Sequence, residues 1–300
     1  MKDFISPPAL QKGQTIQLIS TARKITKEDI LIAINIFESW GLKIKIGKNL
    51  FNESGQFAGT DEQRTEDLQN ALNDPETSAI ICARGGYGTI KILDSIDFNQ
   101  FIKNPKWISG FSDVTALHTH LQKLNIQSIH STMPICFDTD DAISIESLRK
   151  ILFNEEIKYY FSPNSLNRTG FCEGIVIGGN LSLLCNVIGT ESDINYDGKI
   201  LFIEDTDEYL YHLDRMWVQL KRAGKLKNIA GLMVGQFSKL QDNGIAFGKT
   251  IEEIIFEAVK EYNFPICYNV PIGHSNENVA IPCGRIATLS VQETEVSLIF

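Results

Sequence analysis

Hydrophobic and polar positions follow two alternating rhythms along the first half of the chain. Residues 15–19 form a short apolar run, and residues 27–40 then carry Ile30, Ala33, Ile34 and Phe37 at helical spacing. Residues 43–46 alternate polar and apolar side chains as a half-buried strand does, and residues 61–72 return to the helical rhythm. The apolar run 79–83 leads into the turn Arg84-Gly85-Gly86-Tyr87-Gly88 and a helical pattern from about Thr89. A strand at Trp107-Ile108 and a helix from Asp113 complete the series. Short apolar runs separated by helices of this length predict βαβ units: a mostly parallel sheet with helices on both faces. Ligands of such sheets bind beyond the carboxyl ends of the strands. Gly85-Gly86 and Ser112 both fall at such ends.

The rhythm loosens over residues 154–168, where Pro163, Asn164, Ser165 and Asn167 cluster. This predicts a first domain over residues 1–155, a linker over 156–167 and a smaller second domain over 168–300. The second half is richer in strands, at 174–177, 199–203, 231–234 and 266–270, with helices at 181–188, 211–223 and 251–262 between them. Two final runs, 287–291 and 295–299, flank Gln292-Glu293-Thr294 and read as a hairpin. The second domain is therefore expected to be α/β with mixed, more antiparallel strands.

Composition narrows the function. A chain of 300 residues with a net charge of −9 lacks the basic face that binding nucleic acid requires. Pro7-Pro8 interrupts the N-terminal segment, which carries no apolar leader core, and no run approaches a membrane span. The expected location is the cytoplasm. The cysteines Cys82, Cys136, Cys172, Cys185, Cys267 and Cys283 are scattered without a C-x-x-C pair, so neither a disulfide framework nor a zinc site is expected.

The stretch richest in chemistry is Ile108-Ser109-Gly110-Phe111-Ser112-Asp113-Val114-Thr115. Ser112 stands where an apolar run meets a helix, the corner at which α/β enzymes place a nucleophile beside backbone N–H groups. The elbow pattern G-x-S-x-G is not met, because Val114 holds its last position. A serine there is equally a helix N-cap. A serine nucleophile needs a base, and the base needs an orienting group. His118 and His120 follow on the same helix, and six residues of helix rise about 9 Å, away from the hydroxyl. Their spacing of two makes them poor joint metal ligands. His212 opens an amphipathic helix and reads as a surface or cap residue, while His130 has no specific support as a base.

His274 follows an apolar run and the turn Pro271-Ile272-Gly273, where glycine lets the backbone present an imidazole at a strand end. A solvated loop histidine is the alternative. Glu204 ends the apolar run 199–203, where a buried carboxylate can fix an imidazole tautomer. The alternative, an acid at a helix N-terminus, suits Asp205, Asp207 and Glu208 better. The turn at Gly85-Gly86 suggests a phosphate cradle, but neither nucleotide-binding glycine pattern is present. Its N–H groups could equally face an oxyanion. Arg84 could pair with a substrate carboxylate or with a neighbouring acid.

Taken in order, several segments resemble the LD-carboxypeptidase family of serine peptidases, which includes muramoyltetrapeptide carboxypeptidases and microcin C self-immunity proteins. They are Ala83-Arg84-Gly85-Gly86-Tyr87-Gly88, Gly110-Phe111-Ser112-Asp113-Val114-Thr115-Ala116-Leu117, Ile177-Gly178-Gly179-Asn180-Leu181-Ser182, Ile203-Glu204-Asp205, Asp214-Arg215-Met216 and Gly273-His274. The resemblance spans nearly the whole chain. It implies a triad of Ser112, Glu204 and His274 drawn from both domains, with an oxyanion hole from the backbone of Gly85, Gly86 and Asp113. Arg84 and Tyr87 are the candidates for substrate contact. It also implies a murein tetrapeptide substrate cut between its third residue and the terminal D-alanine, no metal or organic cofactor, and a homodimer. A peptidyl or aminoacyl nucleotide is the alternative substrate, and a non-catalytic binding module on the same fold is the lesser reading. Two departures stand out: Ser131-Thr132 precede Met133 where the family often has Gly-Pro, and Ser20-Thr21-Ala22-Arg23 replaces a common Pro-Ser pair.

Overall fold

The computed structural model describes residues 4–300, which divide into two compact units. The first runs to Glu156 and recovers Asn276–Gly284 from the far end of the chain. Its elements are β1 (Thr15–Ile19), α1 (Leu31–Ser39), β2 (Lys43–Ile46), α2 (Asp61–Asn73), β3 (Thr77–Cys82), α3 (Thr89–Ile92), α4 (Asn99–Lys103), β4 (Trp107–Gly110), α5 (Thr115–Lys123), β5 (Ser128–His130) and α6 (Ala142–Leu152). These five strands are parallel in the order β5-β4-β3-β1-β2. Right-handed crossovers over that order place α1 on one face and α2 to α5 on the other. The order reverses between β1 and β3, and their carboxyl ends flank the crevice where such sheets bind ligands.

Burial explains the apolar runs. Ile80, Ile81, Ile108, Ile16 and Leu18 are fully buried, as strands covered on both faces must be. At the edge, β2 exposes Lys43 and Lys45, which keeps that edge from pairing with another chain. Helix α2 starts from a capping box in which Thr60 and Gln63 satisfy each other's backbone N–H groups.

The second unit holds β6 (Lys158–Phe161), β7 (Gly170–Asn180), α7 (Leu181–Asn186), β8 (Lys199–Thr206), α8 (Leu210–Arg222), β9 (Gly231–Ser238), α9 (Ile251–Val259), β10 (Ile266–Cys267), β12 (Ile286–Val291) and β13 (Val296–Ile299), with β11 (Ile281–Cys283) lying in the first sheet. Strands β10, β9, β8 and β7 are parallel, whereas β12, β13 and β6 continue the sheet antiparallel. The mixed α/β class and the more antiparallel second sheet are as the sequence predicts.

The sequence boundaries differ from these units in two places. Lys158–Phe161, inside the expected linker, is an edge strand whose Tyr159 and Phe161 rings stack 6.1 Å apart. The segment 276–284, expected in the second domain, pairs β11 antiparallel with β5, Ile281 opposite His130. Three residues interrupted by Pro282 carry too little pattern to announce a strand. The expected strand 266–270 keeps regular pairing only over Ile266–Cys267, because Asn269 at φ +57° breaks the ladder.

Candidate active site

In the first unit, β4 delivers the chain to Gly110, Phe111 remains extended, and Ser112 turns at φ +62° into a short 3-10 helix, Ser112–Val114, that leads into α5. A left-handed φ is costly for a residue with a Cβ, on the order of 1–3 kcal/mol, and persists where the surroundings over-determine it. The cap position belongs to Phe111, which makes no side-chain cap. Ser112 therefore occupies the corner as an elbow residue, despite the missing final glycine.

Gly85 lies against this corner. A Cβ built on it would stand 3.2 Å from the Ser112 Cβ and 3.2 Å from the Met133 Cε, so a larger residue would crowd the corner unless its neighbours gave way. Gly85 is buried, and Gly86 and Tyr87 are exposed, with Tyr87 resting on the Phe57 ring at 6.0 Å. Arg84 directs its Nη1 to the Lys24 carbonyl at 2.9 Å.

His118 does not reach forward to a nucleophile, as its axial distance implies, yet it serves the corner from behind. Helical side chains lean toward the helix N-terminus. Its Nε2–H donates to the Gly110 carbonyl at 2.8 Å, and Nδ1 accepts from the Ser128 hydroxyl at 2.9 Å. Burial pushes its pKa down to about 4, against the Gly110 hydrogen bond, so the ring is neutral near pH 7. The signal was present in the sequence: a histidine on the apolar face of a helix, one residue after Leu117.

In the second unit, Glu204 sits at the carboxyl end of β8, fully buried, where the pairing with β9 shifts register between Ile203 and Asp205. Such a bulge re-aims a side chain. His274 follows β10 in a loop tied to β9 by Val270 N–H to Val234 O and Gln236 N–H to Ile272 O. Its Nδ1 meets Glu204 Oε2 at 2.7 Å, and its side chain remains 21% exposed. Gly273, at φ +116°, has no room for a Cβ, which would lie 2.7 Å from the Glu204 Cβ and Oε2. Burial disfavours the imidazolium, but the Glu204 charge and hydrogen bond outweigh it and raise the His274 pKa. A carboxylate on Nδ1 fixes the tautomer and orientation of the ring.

Asp205, expected at the start of the next helix, instead supports α7. It accepts from Asn180 Nδ2 at 2.7 Å, Ser182 N at 3.1 Å and Thr206 N at 2.8 Å. Burial, then the neighbouring Glu204 charge, raises its pKa to about 7. Glu208 pairs with His212, a surface role as expected. Among the described residues no group of three His, Cys, Asp or Glu side chains is placed to hold a metal ion, and no helix is long and apolar enough to cross a membrane.

Residues 16–131 match the LD-carboxypeptidase N-terminal domain, and residues 173–289 match the LD-carboxypeptidase C-terminal domain. The chain is 35% identical to the "Probable murein peptide carboxypeptidase" of Bacillus subtilis (strain 168), covering 96% of this chain and 92% of that one. It is 27% identical to the "Murein tetrapeptide carboxypeptidase" of Pseudomonas aeruginosa, covering 91% and 92%. The muramoyltetrapeptide carboxypeptidase structure from Oxalobacter formigenes superposes with a TM-score of 0.86 at 26% identity, over 95% and 98% of the two chains. The microcin C7 self-immunity protein in complex with glutamyl sulfamoyl guanosine shares the fold, with a TM-score of 0.87 at 21% identity over 99% and 98%.

Proposed function

The chain belongs to the LD-carboxypeptidase family of serine peptidases, and on that premise we propose that it releases the terminal D-alanine from murein tetrapeptides in the cytoplasm. Ser112 attacks the scissile carbonyl while His274 Nε2 takes its proton. Glu204 holds the imidazole by Nδ1 and stabilises the imidazolium that forms. The tetrahedral oxyanion is met by the N–H groups of Asp113 and of the Gly85-Gly86 turn. His274 then protonates the leaving D-alanine amine, and water repeats the cycle on the acyl-enzyme.

The observation that carries this reading is the 2.7 Å Glu204–His274 pair, a buried carboxylate on an imidazole that still reaches solvent. A carboxypeptidase must also recognise a free terminal carboxylate, and Arg84 beside the glycine turn is the cation assigned to it. The reading extends to a homodimer that needs no metal or organic cofactor.

Substrate stereochemistry tests it. A terminal L-alanine would put its methyl where the pocket expects hydrogen, a clash instead of a small loss of contact. Released alanine should therefore appear from peptides ending in diaminopimelyl-D-Ala or L-Lys-D-Ala, and not from the L-alanine epimers or the C-terminal amides. Equal cleavage of both epimers, or turnover of an aminoacyl sulfamoyl adenosine in preference, would move the assignment to the nucleotide-type substrate. Activity should also persist in EDTA.

A further inference from the structure

Asp113 follows the proposed nucleophile directly, yet its side chain is buried, 1% exposed, and turned away from solvent. Its Oδ2 accepts the Thr89 N–H at 2.7 Å. That N–H belongs to the peptide joining Gly88 to Thr89, the last peptide of the glycine turn. The carbonyl of the same peptide, Gly88 O, accepts from Arg64 Nη1 at 2.9 Å. Arg64 rises from α2 with a side chain wholly buried, and the same Nη1 reaches the Thr21 carbonyl at 2.6 Å beyond β1. Its Nη2 pairs with Asp61, and its guanidinium lies 4.9 Å from the Phe57 ring centroid. Thr89 adds a hydroxyl contact to Thr21 at 2.7 Å.

One peptide group is thus gripped on both of its polar atoms by buried ionisable side chains from two different elements. Taking a carboxylate and a guanidinium out of water costs several kcal/mol per ion unless pairing repays it. Starting a four-residue helix demands no such expense, since an exposed Ser or Asn cap suffices. What the grip does fix is the far end of a turn whose near end touches Ser112. Oxyanion donors act only when held at hydrogen-bond distance from the developing charge, and a displacement of about 1 Å can cost on the order of a hundredfold in rate.

We propose that Asp113 and Arg64 are positioning residues: together they clamp the Gly88–Thr89 peptide and so hold the Gly85-Gly86 N–H groups in register with Ser112. This rests on the reading of Ser112 as nucleophile. The clamp acts chiefly on the charge that develops in the transition state, and Arg84 lies on the strand side of the glycines, so kcat should fall far more than KM rises.

The test compares Asp113→Ala, Asp113→Asn and Arg64→Lys with the unaltered protein. D-alanine release gives kcat and KM, and a fluorophosphonate gives the rate at which Ser112 is phosphonylated, a reaction that also loads charge into the oxyanion hole. Asp113→Ala should lower kcat and the phosphonylation rate about a hundredfold, with KM changed less than about threefold. Asp113→Asn keeps an oxygen for the Thr89 N–H and should recover to within about tenfold of the parent. Arg64→Lys cannot serve two carbonyls and should lower both rates at least fivefold. If Asp113→Ala does not fold, Arg64→Lys decides alone. Parent-like rates in a folded Asp113→Ala or in Arg64→Lys overturn the clamp, as does an Asn variant no better than Ala. Failure of the nucleophile reading looks different: Ser112 of the parent itself would resist the probe, or Ser112→Ala would still release D-alanine.

Discussion

The two units place their proposed catalytic groups by different physical means. In the first, the backbone does the placing: a strand end, a left-handed φ at Ser112 and a glycine whose Cβ would come within 3.2 Å of the Ser112 Cβ all lie within thirty residues, with buried side chains holding the turn from outside. In the second, side chains do the placing. Glu204 and His274 are separated by 70 residues, and only a bulge in β8 and a tethered loop after β10 bring them to 2.7 Å. A site placed by backbone geometry tolerates changes around it until the turn itself distorts. A site placed by one side-chain pair fails when either member changes.

The sharpest way to break that comparison is to remove the reacting groups. Ser112→Ala and His274→Ala should each lower kcat for D-alanine release by about 10⁴–10⁶-fold, and the double variant should lose little more, because members of a triad act as one unit. Multiplicative losses in a continuous release assay would show that the two units contribute independently.

A smaller effect tests the side-chain pair. Glu204→Gln should lower kcat by about 10²–10⁴-fold. It also removes the charge that raises the His274 pKa. A base must be neutral to act, so activity falls as pH drops through that raised pKa, and the acidic limb of kcat/KM should move to lower pH in the Gln variant. An unmoved limb would mean that another group sets it.

The smallest effect belongs to the scaffold behind the elbow. His118 is buried neutral, with its pKa depressed from 6.5 to about 4. The unfolded chain therefore binds its proton first as pH falls. The stability this group contributes is complete above pH 6.5 and is lost progressively toward pH 4, up to about 3 kcal/mol. His118→Gln should flatten that part of the urea-unfolding profile, at the expense of about 1–3 kcal/mol at pH 7 from the weakened Gly110 and Ser128 contacts. An unchanged pH dependence would place the acid sensitivity elsewhere, though not at Asp205, whose raised pKa favours folding as pH falls.

Much of the first sheet was legible because each βαβ unit is a local pattern. The strands β1, β2, β3 and β4 lie within two residues of the expected runs. What failed was equally local in cause: β6 is a four-residue strand inside a polar stretch, and β11 is three residues interrupted by Pro282. The expectation that Ser112 could be a cap failed on geometry alone, since φ +62° cannot be read from residue types. The axial distance of His118 from the Ser112 hydroxyl says nothing of its partner, a carbonyl behind the corner.

By itself the sequence determined the α/β class, the strand ends that carry Ser112 and Glu204, and the order of motifs that marks the family, because these depend on patterns within about fifteen residues. Only the tertiary structure decided that Glu204 meets His274, that Asp113 and Arg64 grip one peptide from two elements, and that the segment 276–284 returns to the first sheet. Each joins residues far apart in the chain, and burial, which sets their charge states and hydrogen bonds, exists only once the core has closed around them.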